Sequence, residues 1–434
     1  MKYKGVSFRG IFVFLFSIIV IIDSLNGFII SKYNLPVSFG QIYRSLVFLI
    51  MVIILLKYSS RKIFYTFFIF FYFIIMQFIY FYNHSSINGL VLDITETFKP
   101  LLVIFSVEAY RSLYEKGIIG IKDLNLILKI NLVLFPLSII IPKILGLGSS
   151  VYSNGSGYKA FYNANNDLNI VLLVLLIFTL EMLLDNIKNV GRALTYGTII
   201  LLLLIVLLLI GSKSSMFFST LILFIYLIRA MSKNSLVNNL KIIILISIVV
   251  YSLSNILMSF YRDEISLIIE RQKYFYETQV IKGNNIVTFL LTGRNEFLIS
   301  SLNAFFKESL LPIKIVFGLG KYEHSVLSGT EFGRDHLIIE MDFFDVLFSY
   351  GLLGTLILYG YFFTIFLNSL YKKESHFFFA YLSYIVIAIF SFLGGHVIFS
   401  ALSGSFLALI CCYLTSYKKI NRVCNKKSNK TSLT

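Results

Sequence analysis

The run Leu194-Thr-Tyr-Gly-Thr-Ile-Ile-Leu-Leu-Leu-Leu-Ile-Val-Leu-Leu-Leu-Ile210 carries no charged side chain and stops at Gly211-Ser-Lys-Ser-Ser215. A bilayer-crossing helix needs about 20 mainly apolar residues and no fewer than about 17. This stretch meets that length and has no polar face for water, as a surface helix of a soluble domain would have. Runs of the same kind lie on both sides of it. Before it come Ile11 to Ile30, Ile42 to Leu56, Ile63 to Tyr82, Leu90 to Tyr110, Leu124 to Leu145 and Leu168 to Leu184. After it come Ser214 to Ile228, Leu240 to Tyr261, Phe343 to Leu367, Phe377 to Phe392 and Val397 to Leu414. The expected fold is an all-α polytopic membrane protein with about 12 transmembrane helices.

Composition agrees with that class. Hydrophobic residues make up 57% of the chain and charged residues only 14%, against about 25% charge in soluble domains. The formal net charge is +16, yet the basic residues sit in short clusters between apolar runs, as topology determinants do. No basic face interleaved with stacking aromatics occurs on a soluble module, which argues against a nucleic-acid partner. Cys411, Cys412 and Cys424 imply neither a disulfide framework nor a metal site. Met1 to Arg9 resembles a signal peptide in charge order, but no small-residue cleavage site follows, so a retained first helix is expected.

Lysine and arginine placement orients the spans. Lys2, Lys4 and Arg9 fall on one side, with Lys57, Arg61 and Lys62, then Arg111, Lys116 and Lys122, then Lys188 and Arg192, then Arg229, Lys233 and Lys241. Lys372, Lys373 and the tail from Lys418 to Lys430 join them, while the opposite short loops hold only Lys32, Arg44, Lys159 and Lys213. Cytoplasmic loops retain positive charge, so both termini are expected in the cytoplasm. The chain then divides into helices 1 to 9 (residues 1–261), a large extracytoplasmic loop (262–342), helices 10 to 12 (343–416) and a basic cytoplasmic tail (417–434).

That loop holds most of the residues able to do chemistry. Ile265, Ile268, Ile269 and Phe275 recur at helical spacing between Glu264 and Glu277. Thr292-Gly-Arg-Asn-Glu296 then caps a second amphipathic helix, whose face is Phe297, Leu298, Ser301, Leu302, Phe305 and Phe306. Such a helix beside a bilayer is expected to lie in the interface. Arg294 stands at its start, where unpaired N–H groups, the helix dipole and a guanidinium together favour phosphate; the bland alternative is a surface arginine that meets headgroups or pairs with Glu296. Arg262 and Arg271 either snorkel to headgroups or line the same anion site. Glu340, Asp342 and Asp345 crowd the entry of the tenth span, where one of them is placed to act as a general base. Alternatively they pair with Arg334, His336 or Lys321 to fix the loop. A metal site of Asp342, Asp345 and a histidine matches no helix-based ligand spacing, and no hydrolase-like sugar cleft accompanies the carboxylates. His84, His376 and His396, at helix ends, read as interfacial polar residues. Asp23, Asp93, Glu96, Lys99, Lys129 and Glu181 fall within spans and are expected to point inward, where a solute transporter would use them.

Four segments together resemble the bacterial O-antigen polymerase (Wzy) and O-antigen ligase superfamily. These are Phe161-Tyr-Asn-Ala-Asn-Asn-Asp167, Gly211-Ser-Lys-Ser-Ser215, Thr292-Gly-Arg-Asn295, and Glu340-Met-Asp-Phe-Phe-Asp-Val-Leu-Phe-Ser-Tyr-Gly-Leu-Leu-Gly354. In ligases a histidine precedes the first glycine of the final segment; here that place holds Glu340, with His336 one helical turn earlier, a departure that favours a polymerase. The resemblance implies a capsule or O-antigen polymerase of the cytoplasmic membrane, acting at its outer face on a polyprenyl-diphosphate-linked oligosaccharide, with no cofactor and no metal. Arg294, helped by Arg262, Arg271, Arg334 and Lys213, would bind the diphosphate. Glu340, Asp342 or His336 would accept a proton from the attacking hydroxyl, giving inversion, while Tyr158, Asn163 and Asn165 would hold sugars. A flippase and a chain-length regulator are the implied partners.

Overall fold

The computed structural model describes residues 7–33, 38–59, 62–152, 155–233, 262–283, 286–307, 311–370 and 377–416, with the isolated residues 244, 251 and 255. The expected ninth span apart from those three residues, His376, Cys424 and the basic tail lie outside them, as does the side chain of His84.

Among the described residues the chain is all-α, and eight helices are long and apolar enough to cross a membrane. They are Phe8–Lys32, Phe39–Tyr58, Ile63–Asn83, Ile121–Ile144, Asn165–Asn186, Val190–Ile210, Lys213–Ser232 and Asp342–Leu370. The other expected spans depart from that standard for visible reasons. Leu90 to Tyr110 falls in a helix of 29 residues, Ile87–Glu115, which has the length but carries Asp93, Glu96, Lys99 and Glu108. The last two fall in Phe378–Leu393 and Ala401–Thr415, of 16 and 15 residues, short of the usual crossing length. A multi-pass helical membrane protein is therefore established, and a count of about twelve spans is not.

Helix Ala401–Thr415 is buried from Ala401 to Leu414, and Asn165–Asn186 is buried over most of its length, so these two form the centre of the bundle. Helix Ile63–Asn83 lies at the edge and turns a stripe of Phe64, Phe68, Phe71, Ile75, Phe78 and Tyr82 outward, spaced at three and four residues along one face. Charged residues inside the helices find partners, within one helix or across the bundle. Arg44 pairs with Asp23, Lys99 with Glu96 at 2.5 Å, and Arg229 with Glu181 at 2.5 Å, while Asp93 accepts from the Tyr322 N–H at 2.7 Å. Lys129 departs from the expected inward direction and stands on the exposed face of Ile121–Ile144, where its four-carbon stem can lie along apolar surface.

Segment 262–342 folds as short helices: Arg262–Tyr276, a π-helical turn Glu277–Lys282, Ile286–Leu291, Arg294–Phe306, Leu311–Phe317 and Lys321–Phe332. The amphipathic helix expected after Thr292 forms, and its apolar face is covered by protein. It packs on Lys321–Phe332, and Phe305 joins Leu319, Ile339, Met341 and Phe348 in a second apolar core. Only Phe306 of the expected face stays exposed.

A backbone crossing locks this segment to the bundle. The Leu319 N–H donates to Phe348 O at 3.0 Å and the Gly320 N–H to Ser349 O at 2.9 Å. Helix Asp342–Leu370 breaks at Gly351, with φ 67° and ψ −174°, which a residue bearing a Cβ rarely adopts. A Cβ on Gly351 would fall 2.3 Å from Val316 O, and one on Gly318 would fall 2.4 Å from Ser349 O. Gly351→Ala is expected to cost more than the roughly 1–3 kcal/mol of a strained dihedral alone, lowering the melting temperature in detergent by many degrees. Gly360→Ala, where a Cβ meets nothing within 4 Å, should leave it unchanged or raise it, and equal melting of the two variants would contradict the crossing.

Candidate functional site

A cavity of about 410 Å³ opens where segment 262–342 meets the bundle. Asp23, Asn26, Arg44, Glu96 and Lys99 supply one wall from three helices, Asn163 and Asp167 a second, and Lys321, Ser325, His336 and His396 the rest. Three cations and three carboxylates thus line one space, with two imidazoles beside them. His336 is exposed and its Nδ1 lies 3.3 Å from Ser325 Oγ.

Arg294 and Glu340 are not among the lining residues but stand next to them: Glu340 is two positions from Ile338, and Arg294 packs on Gly394, two positions from His396. Arg294 donates to Glu340 Oε2 at 2.7 Å and to Thr292 Oγ1 at 2.8 Å. Its guanidinium also packs on Gly394, whose added Cβ would meet it at 2.7 Å. Both acceptors sit on left-handed backbone, Thr292 at φ 55° and Glu340 at φ 61°. Such conformations in non-glycine residues persist where the surroundings enforce them, and they concentrate at working sites. The side chains are 16% and 43% exposed, so a solvent-borne anion can reach the pair. Glu296, the alternative partner read from the sequence, is not the one Arg294 uses.

Asp342 is held by the fold. It is fully buried, and its Oδ2 accepts from the Val397 N–H at 2.6 Å, the Ile398 N–H at 2.9 Å and Ser391 Oγ at 3.1 Å. Asp345, also buried, pairs with Lys321 at 3.0 Å, the loop-fixing alternative that the sequence left open. Among the described residues no three His, Cys, Asp or Glu side chains converge as a metal site.

The remaining expected residues scatter. Asn163 lines the cavity, while Asn165 begins the Asn165–Asn186 helix half-buried. Tyr158 is buried in the fold of its own loop, with its hydroxyl donating to Leu147 O at 2.6 Å, so it offers no ring to a sugar in the cavity. Lys213 lies over the Phe289 ring at 3.6 Å and donates to Phe289 O at 3.2 Å. Arg271 stacks on Tyr152 at 3.1 Å, and Arg334 lies 5.1 Å from the Phe332 ring. Arg262 is exposed at the start of its helix. None of these four cations lines the cavity. Conversely, sequence reasoning passed over Lys321, Asp167 and His396 as site residues, although Lys321 follows Gly318-Leu-Gly320, His396 follows Gly394-Gly395, and Asp167 closes a segment already singled out.

Two predictions follow from the buried charges. Lys321 and Asp345 are 3% and 0% exposed, and stranding one of such a pair costs about 3–5 kcal/mol. Lys321→Met should therefore destabilise strongly, and adding Asp345→Leu should recover most of the loss in a thermal melt; an additive double variant would contradict the pairing. His324 is buried against Phe348, and burial holds its imidazole down to about 4 from 6.5. The unfolded chain then binds the extra proton between those values, so stability is full above pH 6.5 and declines as pH falls towards 4. His324→Phe should remove that part of the slope in melting temperature against pH.

Comparison with protein-family models, curated proteins and solved structures finds no match to this chain. The shared ground of sequence and structure is a multi-pass helical membrane protein, to which the structure adds a polar cavity lined in part by residues of segment 262–342.

Proposed function

We propose that the protein is a membrane glycosyltransferase that joins polyprenyl-diphosphate-linked oligosaccharide repeat units at the outer face of a bacterial cytoplasmic membrane. The observation that carries this reading is the Arg294–Glu340 pair. A guanidinium and a carboxylate separated by 46 positions stand 2.7 Å apart, with Glu340 on left-handed backbone, beside a polar cavity walled by membrane helices. That is the equipment an activated glycosyl donor requires. The bond to be broken already lies on a diphosphate, so neutralising the departing charge is the main demand, and a planar two-pronged cation suits it. The polyprenyl chain would run between helices while the sugars occupy the cavity near Asn163 and His336. A diphosphate arriving at Arg294 would compete with Glu340 for the guanidinium, so the resting pair keeps the cation desolvated and aimed without trapping stray anions.

Attack by an acceptor hydroxyl on the anomeric carbon then gives inversion in one displacement, and no nucleotide sugar enters. A transporter would instead depend on Asp23, Glu96 and Lys99 and would tolerate loss of Arg294.

Arg294→Ala should leave a single repeat unit on the cell surface where the parent strain shows a ladder, at unchanged protein abundance. Arg294→Lys should also be poor, by at least about tenfold in chain extension, since the charge survives without the fork. A normal ladder from Arg294→Ala would end the assignment.

A further inference from the structure

We propose that His396, backed by Asp342, is the base that accepts the proton of the attacking hydroxyl; this rests on the glycosyl-transfer reading above. Asp342 spends Oδ2 on three donors, the Val397 and Ile398 N–H groups and Ser391 Oγ. Its Oδ1 is left without a hydrogen bond and faces His396 Nδ1, also buried without one, at 3.7 Å. Two complementary buried atoms stand just beyond bonding distance, the looseness that catalytic pairs show before substrate tightens them. The imidazole itself is 22% exposed and lines the cavity.

With Nδ1 turned inward to a carboxylate, the proton is held on that side and the Nε2 lone pair is the one available to a ligand. The foreseen bases are worse placed. Glu340 is engaged by the guanidinium that is to meet the diphosphate, and His336 stands exposed beside Ser325 Oγ and the Tyr322 ring. His396 also shares its loop with Gly394, the residue against which Arg294 packs. One short backbone stretch therefore sets both the cation that meets the leaving group and the base that meets the nucleophile. The charged groups facing His396 are Asp342, Asp345 and Lys321, together with Asp167 from the far wall.

In the step, the acceptor hydroxyl oxygen bonds to the anomeric carbon while its proton passes to Nε2. The bond from that carbon to the diphosphate oxygen breaks, its electron pair leaves with the diphosphate, and the imidazolium returns the proton to water.

The test uses the full-length protein in lipid nanodiscs with polyprenyl-diphosphate-linked repeat unit isolated from cells lacking this protein, read as chain ladder between pH 5 and 9. His396→Gln should melt like wild type and bind donor with a KM within a few-fold, yet lose kcat by about 10²–10⁴-fold and lose the acid limb of the pH profile. His336→Gln should keep that limb. A His396→Gln enzyme within tenfold of an active wild type overturns the dyad and leaves glycosyl transfer standing, whereas a wild type that builds no ladder overturns both. If His396→Gln does not fold, the other two profiles decide: a limb kept in His336→Gln supports the dyad, and a flat profile or a limb lost with His336 overturns it.

Discussion

The capture of two backbone N–H groups by Asp342 is the contact on which the site depends. In a membrane protein, backbone that leaves the helix must have its polar groups satisfied inside the protein, because lipid offers no partner. The stretch 394–400 between Phe378–Leu393 and Ala401–Thr415 is such backbone, and Val397, Ile398 and Phe399 within it are buried. One carboxylate oxygen answers both Val397 and Ile398. Because Asp342 also begins the broken helix, this contact ties the end of segment 262–342 to the turn between the last two described helices. Glu340 and Gly394, the residues that border Arg294, are each close along the chain to one end of that tie.

The second constraint is the crossing at Gly318 and Gly351. Two segments approach so closely there that no Cβ fits on either, and the Leu319 and Gly320 N–H groups donate directly to the Phe348 and Ser349 carbonyls. Beneath the crossing the Lys321–Asp345 pair is sealed from solvent. Buried pairs contribute little net stability relative to an apolar substitute, but breaking one is expensive. The pair therefore acts on register: Lys321 cannot slide along the broken helix without stranding Asp345. Lys321 also reaches the cavity wall, so the same contact fixes one of its cations.

The apolar runs were legible because a bilayer demands them, and eight helices appear where those runs lie. What the runs could not say is which helices are central. Lipid tails are as apolar as leucine, so Asn165–Asn186 at the centre and Val190–Ile210 at its side look alike as strings. The same limit explains the helix Arg294–Phe306. Its stripe was readable, but a stripe does not tell whether lipid or another helix covers it, and the cover is Lys321–Phe332. Arg294 and an acid were foreseen in one place, yet the choice of Glu340 over Glu296 is a long-range contact that no local pattern encodes. Asp342 and Asp345 were correctly seen as crowded. Their separate fates, one holding a turn and one holding a lysine, depend on segments 55 and 24 positions away in sequence.

That dependence bears on why His396 read as an interfacial residue. A histidine beside two glycines in an apolar run has, in the sequence, no visible partner, and an unpartnered imidazole at a helix end is ordinary. The fold supplies the partner by bringing the start of one helix to the end of another. Gly394 and Gly395 admit the neighbours that make this possible, the Arg294 guanidinium on one and the Phe390 ring on the other. A larger residue at 394 would push the guanidinium away from the turn, and with it the cation that stands beside Glu340 and near the cavity. Charge, backbone satisfaction and close packing are thus imposed on the same few residues, and the polar cavity stays at the junction of helices otherwise built to exclude water.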